Sequence, residues 1–266
     1  MAQPQGSRLA GKTTIVTGGG SGFGAATSIR FAQEGANVVV CDINEAGGQN
    51  VVSQDPSRMV FQKMDVTSLA DWKATIDFAV SKFGRVDVLV NNAGTTYKNK
   101  LDDDGDTSQP SIDVTIDEFE RVFNVNVKSI FYASQTFIPQ LIKQGPEGGA
   151  MINISSTGAQ RPRPGLVWYN ASKGAVSNAT KGLAAEYGPQ QVRVNNVCPL
   201  LTGTGLFEMF TGVPDTPENR EKFISNVPLG RLAETSDIAN MVLYLASDEA
   251  KFISGTDFIV DGGKSV

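Results

Sequence analysis

The stretch WYNASKG, residues 168–174, places a tyrosine and a lysine four positions apart with only small or polar residues between them. On a helix, positions i and i+4 share one face, so Tyr169 and Lys173 would project together. A free phenol titrates near pH ~10, too high for efficient proton transfer near neutrality, and an adjacent ammonium favours the phenolate. The pair therefore suits acid–base chemistry, although two unrelated surface side chains at this spacing would read the same. A third group narrows the choice. Ser156, in INISSTG (152–158), follows an apolar run. A hydroxyl at the end of a buried strand reaches the crevice where open α/β sheets hold ligands, and there it can hydrogen-bond the oxygen that the tyrosine protonates. Asn126, in RVFNVNVKS (121–129), interrupts a helical pattern with a residue of poor helix propensity. Either it is a buried amide that holds a water near Lys173, or it marks a break in the helix. The chain has no histidine. That removes His-based triads and most zinc sites, and no metal site is expected.

These residues need a scaffold, and the apolar pattern supplies one. TTIVTG (13–18), NVVVCD (37–42), VFQKMD (60–65), VDVLVNN (86–92), AMINIS (150–155), VRVNNV (192–197) and DFIVDG (257–262) read as strands. Helical segments are expected at 23–34, 68–83, 115–143 (as two helices), 169–187 and 235–247. β-branched runs alternating with helices predict a doubly wound parallel sheet of seven strands with helices on both faces, an α/β fold in a single domain. Residues 1–10 are expected to be a flexible N-terminus and 11–266 the domain. Two stretches fall outside the alternation. Residues 98–113, with an acidic run, read as a solvated surface loop. Residues 205–230 carry Leu206, Phe207, Met209 and Phe210 among prolines and glycines, as a substrate lid or a packed loop would.

TGGGSGFG (17–24) follows the first strand and opens a helix. Gly18 suits the tight turn. Gly22 and Gly24 allow close approach of a diphosphate, which the helix N-terminus would hold through free N–H groups. The next strand ends in Asp42, placed to accept from both ribose hydroxyls of an adenosine. The third ends at Asp65 and Val66, where the carboxylate either meets the adenine edge or caps a helix. NNAG (91–94), with Asn92, Ala93 and Gly94, suits a close pass by a ribose or a plain turn.

Taken together, TGGGSGFG, NNAG, Asn126, Ser156, YNASK and CPLLTGT make the chain resemble a classical short-chain dehydrogenase/reductase over about 11–263. The resemblance implies a Rossmann-type fold, a nicotinamide cofactor and hydride transfer between it and a secondary alcohol or ketone. It implies Tyr169 as general acid/base, Lys173 as the group that lowers the tyrosine pKa and binds the nicotinamide ribose, Ser156 as the support of the substrate oxygen, and Asn126 as the holder of a relay water. Ser21, Phe23, Pro199, Thr202 and Thr204 join the cofactor-binding set, with Thr204 at the carboxamide. The family also implies a homotetramer. Leu200 departs from the usual glycine, so the nicotinamide end is expected to differ in shape. NAD is expected over NADP: Asp42 would repel a 2′-phosphate, and Ser21, Ile43 and Asn44 offer no compensating cation. A cofactor-binding regulator would have lost the tyrosine, lysine or serine. An epimerase or dehydratase would need a larger segment after Pro199.

Composition agrees. A net charge of −5 without a long basic run argues against nucleic acid and anionic membranes as partners. No apolar stretch is long enough to span a bilayer. Cys41 and Cys198, set in apolar runs, read as reduced residues of a cytoplasmic protein. The substrate is expected to be a small alcohol or carbonyl compound. Trp168, Phe207 and Phe210 suggest an apolar wall, while Arg161 and Arg163 suit either a bound anion or a surface role.

Overall fold

The computed structural model describes residues 6–98, 110–203 and 207–266. Seven strands, β1 (Thr13–Thr17), β2 (Asn37–Asp42), β3 (Met59–Lys63), β4 (Val88–Asn91), β5 (Gly149–Ile154), β6 (Val192–Pro199) and β7 (Asp257–Val260), form one sheet in the order 3-2-1-4-5-6-7. Every pairing is parallel. Alternation along the strands divides the core. Val16, Val38, Val40, Val90 and Ile152 face one way, against Phe31 of α1 (Gly22–Gln33) and Val242 and Leu243 of α9 (Thr235–Ala246). Ile15, Val39, Leu89, Met151 and Val194 face the other way. They pack against α3 (Leu69–Phe83), α5 (Ser129–Gln144) and α6 (Val167–Tyr187) through Trp72, Ile76, Phe137, Leu141 and Ala184. Burial on both faces is why these strands read as continuous apolar runs. The fold is the expected single Rossmann-type α/β domain. Strand order reverses between β1 and β4, which opens a crevice at the strands' C-terminal ends.

Local signals set the helix ends. Ser68 caps α3 by accepting from Asp71 N, and Gly84, at φ 81°, ends it. Thr115 and Glu118 form a capping box on α4 (Ile116–Phe123). Between α4 and α5 the chain neither breaks nor continues as α-helix: Asn124–Lys128 form a π-helical turn.

Several expectations need adjustment. Of the expected flexible N-terminus, residues 1–5 lie outside the described residues, while Gly6 N donates to Gln33 O, Leu9 N to Glu34 O, and Leu9 is fully buried. An unforeseen helix, α2 (Glu45–Val52), follows β2. The 205–230 segment contains α7 (Phe207–Thr211) and α8 (Pro217–Ile224). Residues 99–109 of the expected surface loop and Thr204 of the expected cofactor set lie outside the described residues.

Candidate active site

The crevice is a cleft of about 760 Å³, within the range of small-ligand sites. Its floor at one end is the glycine loop. Gly18 and Gly22 adopt φ of 61° and 52°, which other residues rarely do. A Cβ on Gly24 would lie 2.1 Å from Gly18 O, so only glycine lets α1 start this close to β1. A Cβ on Gly22 would meet nothing within 4 Å, leaving open space before the helix N-terminus. Ser21 precedes that terminus without a side-chain cap, so the first N–H groups of α1 stay available to an anion. These features fit a diphosphate. Phe23 borders the cleft while packing on the core.

Asp42, at the end of β2, accepts from Gly20 N at 2.9 Å and Asn44 N at 2.8 Å. Both oxygens are thereby held at the mouth of the cleft. Asp65 and Val66 border the cleft beside it. Of the two readings of Asp65, the helix cap falls, since Ser68 is the cap. Its carboxylate instead accepts from Thr67 N and Thr67 Oγ1, both at 2.8 Å. Asn92, Ala93 and Gly94 line the cleft between the two ends. Asn92 Nδ2 donates to Thr17 O and Gly18 O at 2.9 and 3.0 Å, so it clamps the glycine loop.

At the other end, β5 delivers Ser156 and α6 delivers Tyr169 and Lys173. Ser156 Oγ accepts from Gly158 N at 3.0 Å, which fixes the hydroxyl at the strand end. Lys173 is buried and its Nζ donates to Ile154 O at 2.8 Å. Its Nζ lies 5.9 Å from the centre of the Tyr169 ring. Burial pushes the Tyr169 phenol up to about 12, against the Ser156 hydroxyl and the Arg163 guanidinium, which pull it down. Burial also lowers Lys173 to about 8. Burial is the largest influence on the phenol, and the Arg163 guanidinium, which the sequence did not point to, acts on it in the lowering direction.

Asn126 sits in the π-helical turn and is 2% exposed. Its Oδ1 accepts from Thr95 N at 2.8 Å, and its Nδ2 donates to Thr95 O and Ser172 Oγ at 2.9 and 3.0 Å. The helix-break reading therefore fails. The amide braces the segment after β4 against α6. A Cβ built on Gly94 would lie 3.4 Å from Lys173 Nζ and 3.5 Å from Asn126 Oδ1, so glycine keeps the space between them open. Ser172, passed over in the sequence, links Asn126 to α6, since its Oγ also donates to Tyr169 O at 2.6 Å. Only its place between Tyr169 and Lys173 signals this role. Tyr97 was also missed: it is fully buried, and its hydroxyl accepts from Trp168 N at 3.2 Å at the start of α6.

Pro199 ends β6 at the cleft, and Leu200 borders it with its N–H on Val260 O at 3.1 Å. Thr202 lines the cleft and bridges to Ala233. Phe210 stands edge-on to Tyr169 with ring centres 5.1 Å apart. Trp168 is turned away to donate to Ser111 O, and Phe207 packs against Phe223, so of the expected apolar wall Phe210 is the part that lines the cleft. No group of metal-ligating side chains occurs among the described residues.

Known proteins resemble this chain over nearly its whole length. A family model described as enoyl-(acyl carrier protein) reductase matches residues 18–265. The chain is 43% identical to 4-formylbenzenesulfonate dehydrogenase of Comamonas testosteroni over 258 residues, which cover 96% of this chain and 98% of the relative. It is 37% identical to 7alpha-hydroxysteroid dehydrogenase of Escherichia coli K12 over 259 residues, 96% of this chain and 95% of the relative. Among solved structures, 3-ketoacyl-(acyl-carrier-protein) reductase of Brucella melitensis complexed with NADH superposes with a TM-score of 0.89. That structure is 38% identical and covers 97% of this chain and 100% of its own. The chain therefore belongs to the short-chain dehydrogenase/reductase family, as an NAD(P)-dependent oxidoreductase acting on CH–OH groups of alcohol and carbonyl substrates.

Proposed function

We propose that the protein is an NAD-preferring dehydrogenase in which Ser156, Tyr169 and Lys173 carry the proton chemistry. The observation that supports this best is the convergence of Ser156 and Tyr169 at the inner end of a cleft whose outer end holds Asp42. The chemistry that a bound nicotinamide supplies is hydride exchange with a carbinol or carbonyl carbon. Ser156 Oγ, held by Gly158 N, donates to the substrate oxygen and fixes it beside Tyr169. Tyr169 hydroxyl donates a proton to that oxygen in reduction and takes it back in oxidation. Lys173, anchored on Ile154 O, presents its remaining N–H groups toward the cleft, where a ribose would meet them. Asn126 keeps the Gly94 side of the lysine open and offers the second lone pair of Oδ1 to a water of the proton path.

Gly18, Gly22, Gly24 and Ser21 would hold the diphosphate. Asp42 would bind the adenosine ribose, with Asp65 and Val66 beside the base, and Pro199 and Thr202 would flank the nicotinamide. The backbone bonds to Asp42 prevent it from swinging away from a 2′-phosphate, and two unit charges about 4 Å apart repel by roughly 4 kcal/mol at an effective dielectric of about 20. Water reduces that, so a preference for NAD on the order of 10²-fold is expected. Measurement of kcat/KM for NAD and NADP in the wild type and in Asp42→Ala tests this. Equal use of both cofactors by the wild type, or an unchanged ratio in the variant, would overturn it.

The same reading makes 205–230 a lid, with Phe210 against Tyr169 and Lys98 paired to Glu208 at 3.0 Å. It makes the protein a homotetramer and, with both cysteines free and buried, a cytoplasmic enzyme. No helix among the described residues is long and apolar enough to cross a membrane.

A further inference from the structure

Outside the cleft, Arg58 and Arg193 donate to backbone carbonyls, whereas the other arginines meet carboxylates: Arg8 meets Glu249, Arg30 Glu34, Arg85 Asp87, Arg220 Asp215, and Arg231 Asp237. The three that border the cleft do not, among the described residues. Arg163, half-buried before α6, donates to the carbonyl of Phe210 through Nη2. Arg121, from α4, reaches only Thr96 O, at 3.4 Å. Arg161 donates to Lys264 O at 3.1 Å. All three belong to the substrate half of the cleft, with Ser156 and Tyr169, whereas the carboxylates that line it, Asp42 and Asp65, lie at the opposite half. The cleft is thus electrically divided in a protein whose net charge is −5.

Arg163 is the most demanding of the three. Burial lowers its pKa, and among the described residues no carboxylate offsets this, the Tyr169 phenol acting the other way. A desolvated cation without a counter-ion is costly, and an anionic ligand in the cleft would offset that cost. The guanidinium has five N–H donors, of which Phe210 O engages one, leaving a planar fork suited to two oxygens of one anionic group. Beside it, Leu166, Phe210 and the Tyr169 ring form an apolar slot.

We propose that Arg163, with Arg121 and Arg161 at the rim, is the anion anchor of the substrate half of the cleft. The substrate class is then a ring-bearing alcohol or carbonyl compound that also carries a carboxylate or sulfonate. The ring lies in the slot, the anionic group meets the Arg163 fork, and the carbinol oxygen points to Ser156 and Tyr169. This rests on the dehydrogenase reading above and deepens it.

The test compares 4-(hydroxymethyl)benzoate, 4-(hydroxymethyl)benzenesulfonate and the neutral methyl ester of the first, each oxidised with NAD. The wild type should favour the two anions over the ester by on the order of 10-fold or more in kcat/KM, and the two anionic arms show which oxo group fits better. In Arg163→Gln, which keeps an N–H donor for the Phe210 carbonyl but loses the charge, the anion-to-ester ratio should fall by about 10- to 100-fold, mostly through KM. A parallel measurement does not depend on turnover. Tyr169→Phe saturated with NADH is titrated calorimetrically with 4-methylbenzoate and its methyl ester, with and without Arg163→Gln. The acid should bind preferentially only when Arg163 is present. If the wild type oxidises none of the alcohols, the assignment of reaction fails for this class, and the calorimetry alone decides the anchor. A wild type without preference for the anion, or an Arg163→Gln variant that weakens acid and ester equally, would overturn the proposal and leave Arg163 as a latch on Phe210.

Discussion

Tyr169 is held by opposing influences: burial favours the neutral phenol, while the Ser156 hydroxyl and the Arg163 charge favour the phenolate. Its neighbour Lys173 is pulled toward neutrality by the same burial. Tyr169→Phe keeps the ring and its contact with Phe210 and removes only the exchangeable proton. Turnover should fall on the order of 10²–10⁴-fold, as expected for loss of a general acid–base group. NADH affinity, followed by fluorescence titration, should stay within about threefold, because the phenol is one of many groups along the cleft. Turnover at the wild-type level in the purified variant would show that another group moves the proton. The closeness of this tyrosine to Lys173 was legible from the Tyr-x-x-x-Lys spacing. The partner that tunes it was not, because Arg163 reaches the phenol only through the path of the loop before α6.

Among the elements, α2 shows where local propensity misleads. Its sequence, EAGGQNVV, holds two glycines that weaken a helix. Packing requires them. A Cβ on Gly47 would lie 2.9 Å from Gly20 O, and one on Gly48 would lie 2.2 Å from the Phe61 ring. α2 must press on β3 and the glycine loop at once, and tertiary contact decides its state. Gly48→Ala should therefore destabilise the protein by about 1–3 kcal/mol despite alanine's better helix propensity, the usual cost of overpacking. Urea unfolding of Gly48→Ala alone and with Phe61→Leu checks this. The second change should recover part of the loss, and a stabilised Gly48→Ala would show that the helix can shift outward freely. The π-helical turn at Asn124–Lys128 is a second case. Asparagine's poor propensity marked the place, but the amide's partners, Thr95 and Ser172, are remote in sequence.

Across the whole molecule, a chain of buried polar groups ties the sheet together. Asn91 donates to Asn153, Asn153 to Thr180, Thr180 to Asn196, and Asn196 to Asp257, at 2.6–2.8 Å. It runs from β4 through β5, α6 and β6 to β7. The buried lysine on α6 then makes stability depend on pH. Between pH 8 and 10.5 the unfolded chain keeps a proton on Lys173 that the folded chain has shed. Lys173 should therefore contribute stability that rises with pH over that window, by an amount on the order of 2 kcal/mol, while the buried Cys41 and Cys198 thiols, which burial keeps protonated, act in the opposite sense. Tyr169 acts in the opposite sense above pH 10, where the unfolded phenol ionises and the folded one, near 12, does not. Denaturant titrations at pH 8, 9 and 10 should show stability changing with a more positive slope in the wild type than in Lys173→Met, in which the thiol contributions are the same. Equal slopes for the two would mean that Lys173 keeps its ordinary pKa in the fold.

Several features were determined by the sequence itself. The β-branched runs specify a two-sided parallel sheet, because no strand with apolar residues on both faces can lie against water. The glycines at 18, 22 and 24 specify a loop that only their backbone freedom and lack of a side chain permit. Asp42, Ser156, Tyr169 and Lys173 were legible because each sits at a strand end or a helical spacing that already determines its direction. The tertiary structure decided what those groups meet. Asn92 clamps a loop more than 70 residues before it, Asn126 braces a helix 46 residues after it, and Arg163 comes to Tyr169 and Phe210. Such contacts depend on how crossovers bring distant segments to one edge of the sheet. Desolvation, which sets the Tyr169 and Lys173 pKa values, exists only once that edge has closed around them.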